Sequence, residues 1–98
     1  MEKSESSEQR EIILHLERDG WYVLKLIQTN KNGIPDLMAI RNGTIIFIEV
    51  KRKGCHQRPL QLHRMNELTA HGVLVFVADS LDAIMVNVPE TTSRLHQG

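Results

Sequence analysis

Residues 33–54 read GIPDLMAIRNGTIIFIEVKRKG, and this stretch decides the fold of the chain. The runs DLMAIR and TIIFIEVKR have the β-branched and aliphatic composition of strands, and Asn42-Gly43 separates them. Asn-Gly is the dipeptide most favoured in two-residue type I′ turns, because both central residues of that turn need positive φ. The stretch therefore predicts a tight β-hairpin.

The register of this hairpin brings charged residues together. With a two-residue loop, Asp36 faces Glu49 across the two strands. Directly opposed residues of an antiparallel pair have Cβ atoms about 4.5–5.5 Å apart, so the two carboxylates can reach a common point. Lys51 lies two residues beyond Glu49 and shares its face of the sheet. On the same face we expect the apolar pairs Ile40 with Ile45 and Met38 with Phe47 to pack under a helix.

Two carboxylates at this spacing suit a divalent cation. They repel each other, and the pKa of one would rise unless a cation or basic group relieved the repulsion. Magnesium typically takes one or two carboxylates and keeps several waters and a substrate phosphate. The matching chemistry is metal-assisted hydrolysis of a phosphodiester, with Lys51 orienting water or stabilising charge on the phosphate. Gly33 would let a substrate backbone approach closely.

A simpler interpretation of the same residues stays open. Asp36 and Glu49 are also compatible with ordinary salt bridges to Lys51 or Arg52 at the edge of a sheet. Chance alignment of three ionisable groups on one strand face, in register and at one end of an apolar hairpin, is less common. The register therefore favours a functional site.

The remaining segments predict an α/β domain. SESSEQREIILHLERDG predicts a first helix, with Ser6 and Gln9 as a capping box and Gly20 at its end. WYVLKLIQ and VLVFVAD predict strands, and RPLQLHRMNELTAHG predicts a helix that begins at Pro59 and packs through Leu62, Met65 and Leu68. LDAIMV after Ser80 predicts a short last helix. The predicted order is α-β-β-β-α-β-α, with a central mixed sheet flanked by helices.

Length and composition indicate one soluble domain over residues 1–98, with a flexible tail over about 89–98. The single Cys55 and the polar opening favour a reducing cytoplasm, and no apolar run approaches the ~18 residues of a membrane span. The formal net charge is zero, but basic residues cluster after the hairpin, which predicts a DNA-binding side unless they are ordinary solvated charges. They are Lys51, Arg52, Lys53, Arg58 and Arg64.

The segments GIPD and EVK resemble the PD-(D/E)xK signature of restriction-endonuclease-like nucleases. More specifically, Glu8 on the first helix, G-x-PD, F-x-E-V-K and Gln61 on the next helix resemble the virus-type replication-repair nuclease, or VRR-NUC, domain over about residues 5–86. One departure is Arg58-Pro59, where the pattern often has a serine or similar cap before the glutamine.

The resemblance implies a Mg²⁺- or Mn²⁺-dependent DNA endonuclease. Asp36, Glu49 and the backbone carbonyl of Val50 would hold the metal, and Lys51 would be the catalytic lysine. Glu8 would reach a second metal or its water shell, and Gln61 would support the site. Family members of this size, typically from phages, resemble homodimeric enzymes that cut branched DNA such as Holliday junctions. The resemblance therefore implies the cytoplasm of a bacterial or phage-infected cell.

Two other functions stay open at this point. One is a non-catalytic DNA-binding module of the same fold. The presence of all three charged residues, Asp36, Glu49 and Lys51, disfavours it. The other is a sequence-specific restriction-type endonuclease, which predicts cuts at one linear motif.

Overall fold

The structure is a computed structural model that describes residues 4–52, 54–80 and 82–83. Within these residues the elements are α1 (Glu5–Arg18), β1 (Tyr22–Lys25), β2 (Leu37–Arg41), β3 (Thr44–Val50), α2 (Pro59–Ala70) and β4 (Leu74–Ala78). Their order is the predicted one. The predicted last helix falls outside the described residues apart from two helical residues, Asp82 and Ala83, and the Ala83 N–H donates to Ser80 Oγ at 3.4 Å.

The four strands form one mixed sheet in the order β1-β2-β3-β4. The first three strands are antiparallel neighbours, and β4 runs parallel to β3. A parallel pair needs a crossover connection, and α2 supplies it between β3 and β4. The mixed sheet predicted from the sequence is therefore confirmed.

The predicted hairpin has the predicted register. Arg41 pairs with Thr44, and the pairing continues to Leu37 with Ile48. Both turn residues have positive φ, 51° for Asn42 and 81° for Gly43, as a type I′ turn requires. The next pair along this register would be Asp36 with Glu49.

The core lies on the face of the sheet opposite to the one that carries Asp36 and Glu49. There Ile12 and Leu16 of α1 pack on alternate residues of the sheet. These sheet residues are Leu37, Ala39, Ile46, Ile48, Val50 and Ala78. The pairs expected to pack under a helix lie on the less buried face, where Ile45 is 37% exposed. Both faces of β2 and β3 are apolar in sequence, so alternation alone did not show which face is buried more deeply.

The start of α1 differs from the prediction. Ser4 is the N-cap, with φ −76° and ψ 163°, and its Oγ accepts from the Ser7 N–H at 3.1 Å. The predicted cap, Ser6, lies inside the helix. Three serines in this segment can each act as an N-cap, so composition did not distinguish among them. The predicted end is confirmed, since α1 ends at Arg18 and Gly20 has φ 86°.

Arg41 connects the hairpin to the end of α1. Its guanidinium lies 4.3 Å from the centroid of the Trp21 ring, and Nη1 donates to both Asp19 O at 2.8 Å and Asp19 Oδ2 at 2.9 Å. Arg41 is only 7% exposed, so its charge is compensated by this ion pair and by the aromatic face. The contact joins the turn end of the hairpin to α1.

No described helix has both the length and the apolar character needed to cross a membrane.

Gly43→Ala should lower the free energy of unfolding by about 1–2 kcal/mol, because φ is 81° at this position. A Cβ there would meet no other atom within 4 Å, so the cost is purely conformational. Urea unfolding followed by the fluorescence of Trp21 measures it. Asn42→Gly, which keeps positive φ accessible, is the control and should change stability by only a few tenths of a kcal/mol. Equal midpoints for Gly43→Ala and the wild type would contradict the turn geometry.

Candidate active site

Asp36 is held through both its backbone and its side chain. It immediately precedes β2, and its carbonyl accepts from the Leu26 N–H at 2.8 Å. Its carboxylate Oδ2 accepts from the Val50 N–H at 2.9 Å. This hydrogen bond crosses the hairpin beyond the last strand pair, Leu37 with Ile48, so Asp36 reaches the strand that carries Glu49.

Glu49 is only 3% exposed, and two side chains meet its carboxylate. Gln61 Nε2 donates to Glu49 Oε2 at 3.1 Å, and Lys51 Nζ lies 3.5 Å from the same oxygen. The Val50 side chain, between Glu49 and Lys51 in sequence, is buried in the core on the other face. The predicted trio of two acids and a lysine is therefore gathered at one end of the hairpin, together with Gln61.

The environment of the two acids disfavours their negative charge. Burial raises the pKa of Glu49 to about 7, with a further contribution from repulsion by Asp36 and an opposing one from Lys51. Burial also raises the pKa of Asp36, while the hydrogen bond from Val50 opposes that rise. Lys51 therefore compensates the pair only partly. A site with this excess of negative charge favours a bound cation.

The amide of Gln61 is oriented by the start of α2. The Arg58 N–H donates to Gln61 Oε1 at 2.9 Å, which is one half of a capping box. With the oxygen engaged there, the NH₂ group is directed to Glu49. The departure at Arg58-Pro59 therefore leaves this contact intact, because the donor to Gln61 Oε1 is the backbone N–H of Arg58 and no side-chain cap is needed.

Sequence comparisons give two matches that cover most of the chain. The family model of the VRR-NUC domain matches residues 1–82. The candidate nuclease p44 of Acyrthosiphon pisum secondary endosymbiont phage 1 is 35% identical over 79 residues, which are 80% of this chain and 85% of that protein. The chain belongs to the VRR-NUC domain family. It is therefore a nuclease domain.

Solved structures of VRR-NUC domains share the fold. One, described as a VRR_NUC domain, has a TM-score of 0.77 and 29% sequence identity, and the match covers 87% of this chain and 97% of that one. A second, described as a VRR_NUC domain protein, has a TM-score of 0.72 and 21% identity, and covers 88% of this chain and 85% of that one. The predicted fold class is confirmed.

The inward face of α2 in this VRR-NUC chain is partly polar. The half-buried positions of α2 are Gln61, Arg64, Met65, Glu67 and Leu68, and all but Glu67 recur at the spacing of one helix face. Leu62, predicted to face inward, is instead 46% exposed. The inward face was predicted from its apolar residues alone. Two of its positions are polar instead: Gln61 binds Glu49 of β3, and Arg64 binds Asn32 of the loop before β2.

Gly33 makes a close contact within the protein. Its φ is 82°, and a Cβ there would lie 2.9 Å from Leu60 Cγ and 3.3 Å from the Leu60 carbonyl carbon. The close approach that needs glycine is therefore made by the first turn of α2. This contact holds the loop before Asp36 against the helix that carries Gln61. An approach of DNA at Gly33 stays a prediction.

The predicted basic cluster divides into different environments. Arg64 donates from Nε to Asn32 O at 2.8 Å and from Nη1 to Glu67 Oε1 at 2.9 Å, so it ties the β1–β2 loop to α2. Arg52 and Arg58 are exposed. Lys53 lies outside the described residues. The exposed arginines suit phosphate contact better than Arg64 does.

Helix α1 brings Glu5 to the site. Glu5 Oε2 accepts from the Arg52 N–H at 3.0 Å, one residue beyond Lys51. The negative charge of Glu5 also contributes to the raised pKa values of both Asp36 and Glu49. The apolar stripe pointed to Glu8 and not to Glu5. Only with Ser4 as the N-cap does Glu5 become the first residue of the helix. The proposed metal role of Glu8 stays a prediction.

The unfolding of the metal-free protein should depend on pH through Glu49. Its pKa of about 7 lies above the ordinary 4.5, so the protonated side chain favours the folded state. This contribution is full below pH 4.5 and is lost as the pH rises to about 7. We expect a fall of at most about 3 kcal/mol in the free energy of unfolding across that window.

The Glu49→Gln variant has no ionisable group at this position, so its free energy of unfolding should not fall across this pH window. Urea unfolding at a series of pH values, in the presence of a chelator, measures it. If the variant keeps the full pH slope of the wild type, another group is responsible and the environment described for Glu49 is wrong.

Proposed function

We propose that this VRR-NUC domain is a metal-dependent DNA endonuclease that cuts branched DNA such as Holliday junctions. The observation that carries the proposal is the convergence of Asp36, Glu49 and Lys51 at one end of the hairpin in a chain of a nuclease family. An apolar substitute for either acid would give a more stable fold, since burial opposes their charge. Their presence is therefore best explained by catalysis.

The residues at the site fit a hard divalent cation. The donors are the carboxylates of Asp36 and Glu49 and the backbone carbonyl of Val50, and magnesium and manganese both accept such oxygen ligands. Among the described residues, no group of three or more histidine, cysteine, aspartate and glutamate side chains could hold a metal. The proposed set of two carboxylates is consistent with an ion that keeps several waters. The chemistry supplied by that ion is polarisation of the phosphoryl oxygen and acidification of a water.

The chain's own groups position the reactants. Lys51, with its side chain 15% exposed, presents an ammonium group where charge develops on the phosphate, and it can also orient the attacking water. Gln61 supports the site through Glu49, because its amide restrains that carboxylate. Gln61 is therefore a positioning residue in this proposal. Exposed Arg52 and Arg58 would contact phosphates beside the site without reading sequence.

We also propose that the domain acts as a homodimer. The sheet face that carries the site has an exposed apolar region on its three antiparallel strands. Tyr22 is 67% exposed, Leu24 36% and Ile45 37%, and the register places them on one face with Met38 and Ile40. A two-fold axis uses the same patch on both copies, so one apolar region is sufficient for a symmetric dimer. Two sites related by that axis suit the paired strands of a junction.

Asp36→Asn should abolish cleavage and leave DNA binding nearly unchanged. Asparagine can still accept from the Val50 N–H but removes one negative ligand from the proposed metal site. The assay compares wild type and variant on four-way junction, flap and linear duplex DNA with magnesium, manganese or chelator, and measures binding by fluorescence anisotropy. Cleavage by the variant at the wild-type rate would refute the role of Asp36. Cuts at one linear motif would support the restriction-type alternative.

Ile45→Lys should convert the dimer into a monomer, because an ammonium group would be buried at the paired patch. Sedimentation equilibrium measures the mass in solution. Leu74→Lys is the matched control: Leu74 is 47% exposed, but the register places it on the opposite face of the sheet. A wild-type protein that is monomeric at high concentration would overturn the dimer proposal.

A further inference from the structure

The loop from residue 26 to residue 34, between β1 and β2, is held in place beside the candidate active site. At its start, the Leu26 N–H donates to Asp36 O at 2.8 Å. At its far end, Asn32 O accepts from Arg64 Nε at 2.8 Å, and Gly33 packs on Leu60. The loop is therefore anchored both to the residue before β2 and to α2.

The tip of the loop also has its own internal hydrogen bonds. Thr29 Oγ1 donates to Lys31 O at 2.6 Å, and the Lys31 N–H donates to Thr29 Oγ1 at 3.3 Å. This arrangement is a local side-chain turn, which sets the backbone of the tip. A surface that is ordered before binding loses less entropy when a ligand arrives.

The loop has the composition of a surface that meets a polyanion. Residues 20–35 contain no aspartate or glutamate, while the chain as a whole carries twelve. The charged residues of this segment are Lys25 and Lys31, and both are exposed. The remaining exposed side chains of the loop are mostly amides and hydroxyls, which hydrogen-bond readily to phosphate and sugar oxygens.

Ile27 stands out on this polar loop. Its exposure of 83% is the highest among the large hydrophobic residues of the described part of the chain. It directly follows Leu26, the residue hydrogen-bonded to Asp36, so it lies one residue from the edge of the site. A groove of about 220 Å³ runs along the loop and is lined by residues 26–29 and 31–34. An exposed apolar side chain next to a polar groove suits a ligand that is itself charged along one edge and apolar on a face.

We propose that this loop is a second DNA-contacting element, in which Ile27 packs against the face of a base unstacked at a branch point and Lys31 contacts a neighbouring phosphate. The inference rests on the proposed function and identifies how the same site would prefer branched DNA. A nucleic acid has the required chemistry, because each base has an apolar face and each linkage carries a negative charge. Apolar side chains such as isoleucine are known to insert at unstacked base steps.

Ile27 accounts for a preference for branched DNA over linear duplex, whereas Lys31 does not. A paired and stacked duplex hides its base faces, so Ile27 would gain little from it. At a branch point, bases are unstacked more easily, and the contact stabilises only that complex. Phosphates occur in both kinds of DNA, so Lys31 stabilises both equally. The two side chains therefore have separable effects.

The test uses Asp36→Asn as the background, so that binding is measured without cleavage. Fluorescence anisotropy with a four-way junction and a linear duplex is recorded at several salt concentrations. Ile27→Ser should weaken binding of the junction about 5- to 10-fold and leave the duplex unchanged. Lys31→Ala should weaken both and lower the salt slope by about one. Leu14→Ser, an exposed leucine on α1 (47% exposed), is the matched control and should change neither affinity.

The outcomes separate this inference from the proposed function. Junction affinity that Ile27→Ser leaves unchanged, or equal weakening of junction and duplex, overturns the role of Ile27 while the nuclease proposal stands. If the Asp36→Asn protein binds neither DNA, the inference and the proposed function fail together. Circular dichroism of each variant shows that the fold is retained, which is expected for substitutions at exposed positions.

Discussion

The pairing of β2 with β3 is the constraint on which the site depends. Side chains alternate between the two faces of a sheet, so a slip of one residue would send Asp36 or Glu49 to the face occupied by the core. The Asn42-Gly43 turn prevents that slip by accepting positive φ at both positions. The hydrogen bond from the Val50 N–H to Asp36 then extends the pairing to the end where the acids meet.

The charged residues of the site lower the stability of the folded protein. Two carboxylates are placed together under partial burial, with one ammonium group 3.5 Å from Glu49 as incomplete compensation. The pKa of Glu49 rises to about 7 for this reason. A protein selected only for stability would replace such a pair with apolar side chains. The conflict between local stability and charge supports the proposal that this end of the hairpin is the active site.

Helix α2 joins the site to the loop before β2, and its inward-facing residues differ most from those that the sequence predicted. Leu62 was expected inward because the prediction followed apolar residues, but Gln61 and Arg64 occupy inward positions since each binds another element. Gly33 was predicted to let a substrate approach, and the structure shows that its missing side chain also makes room for Leu60. These contacts join segments far apart in sequence, so no local pattern reports them.

The sequence by itself determined the order of the described helices and strands, the hairpin register and the meeting of Asp36 with Glu49. Each of these follows from short-range properties, namely turn dihedral angles, strand alternation and helix punctuation. Only the tertiary structure decided which face of the sheet is the core and that Glu5 is an acid of α1 whose charge reaches the site. Those features depend on where α1 docks on a sheet that is apolar on both faces, and docking is set by long-range packing that a linear pattern does not encode.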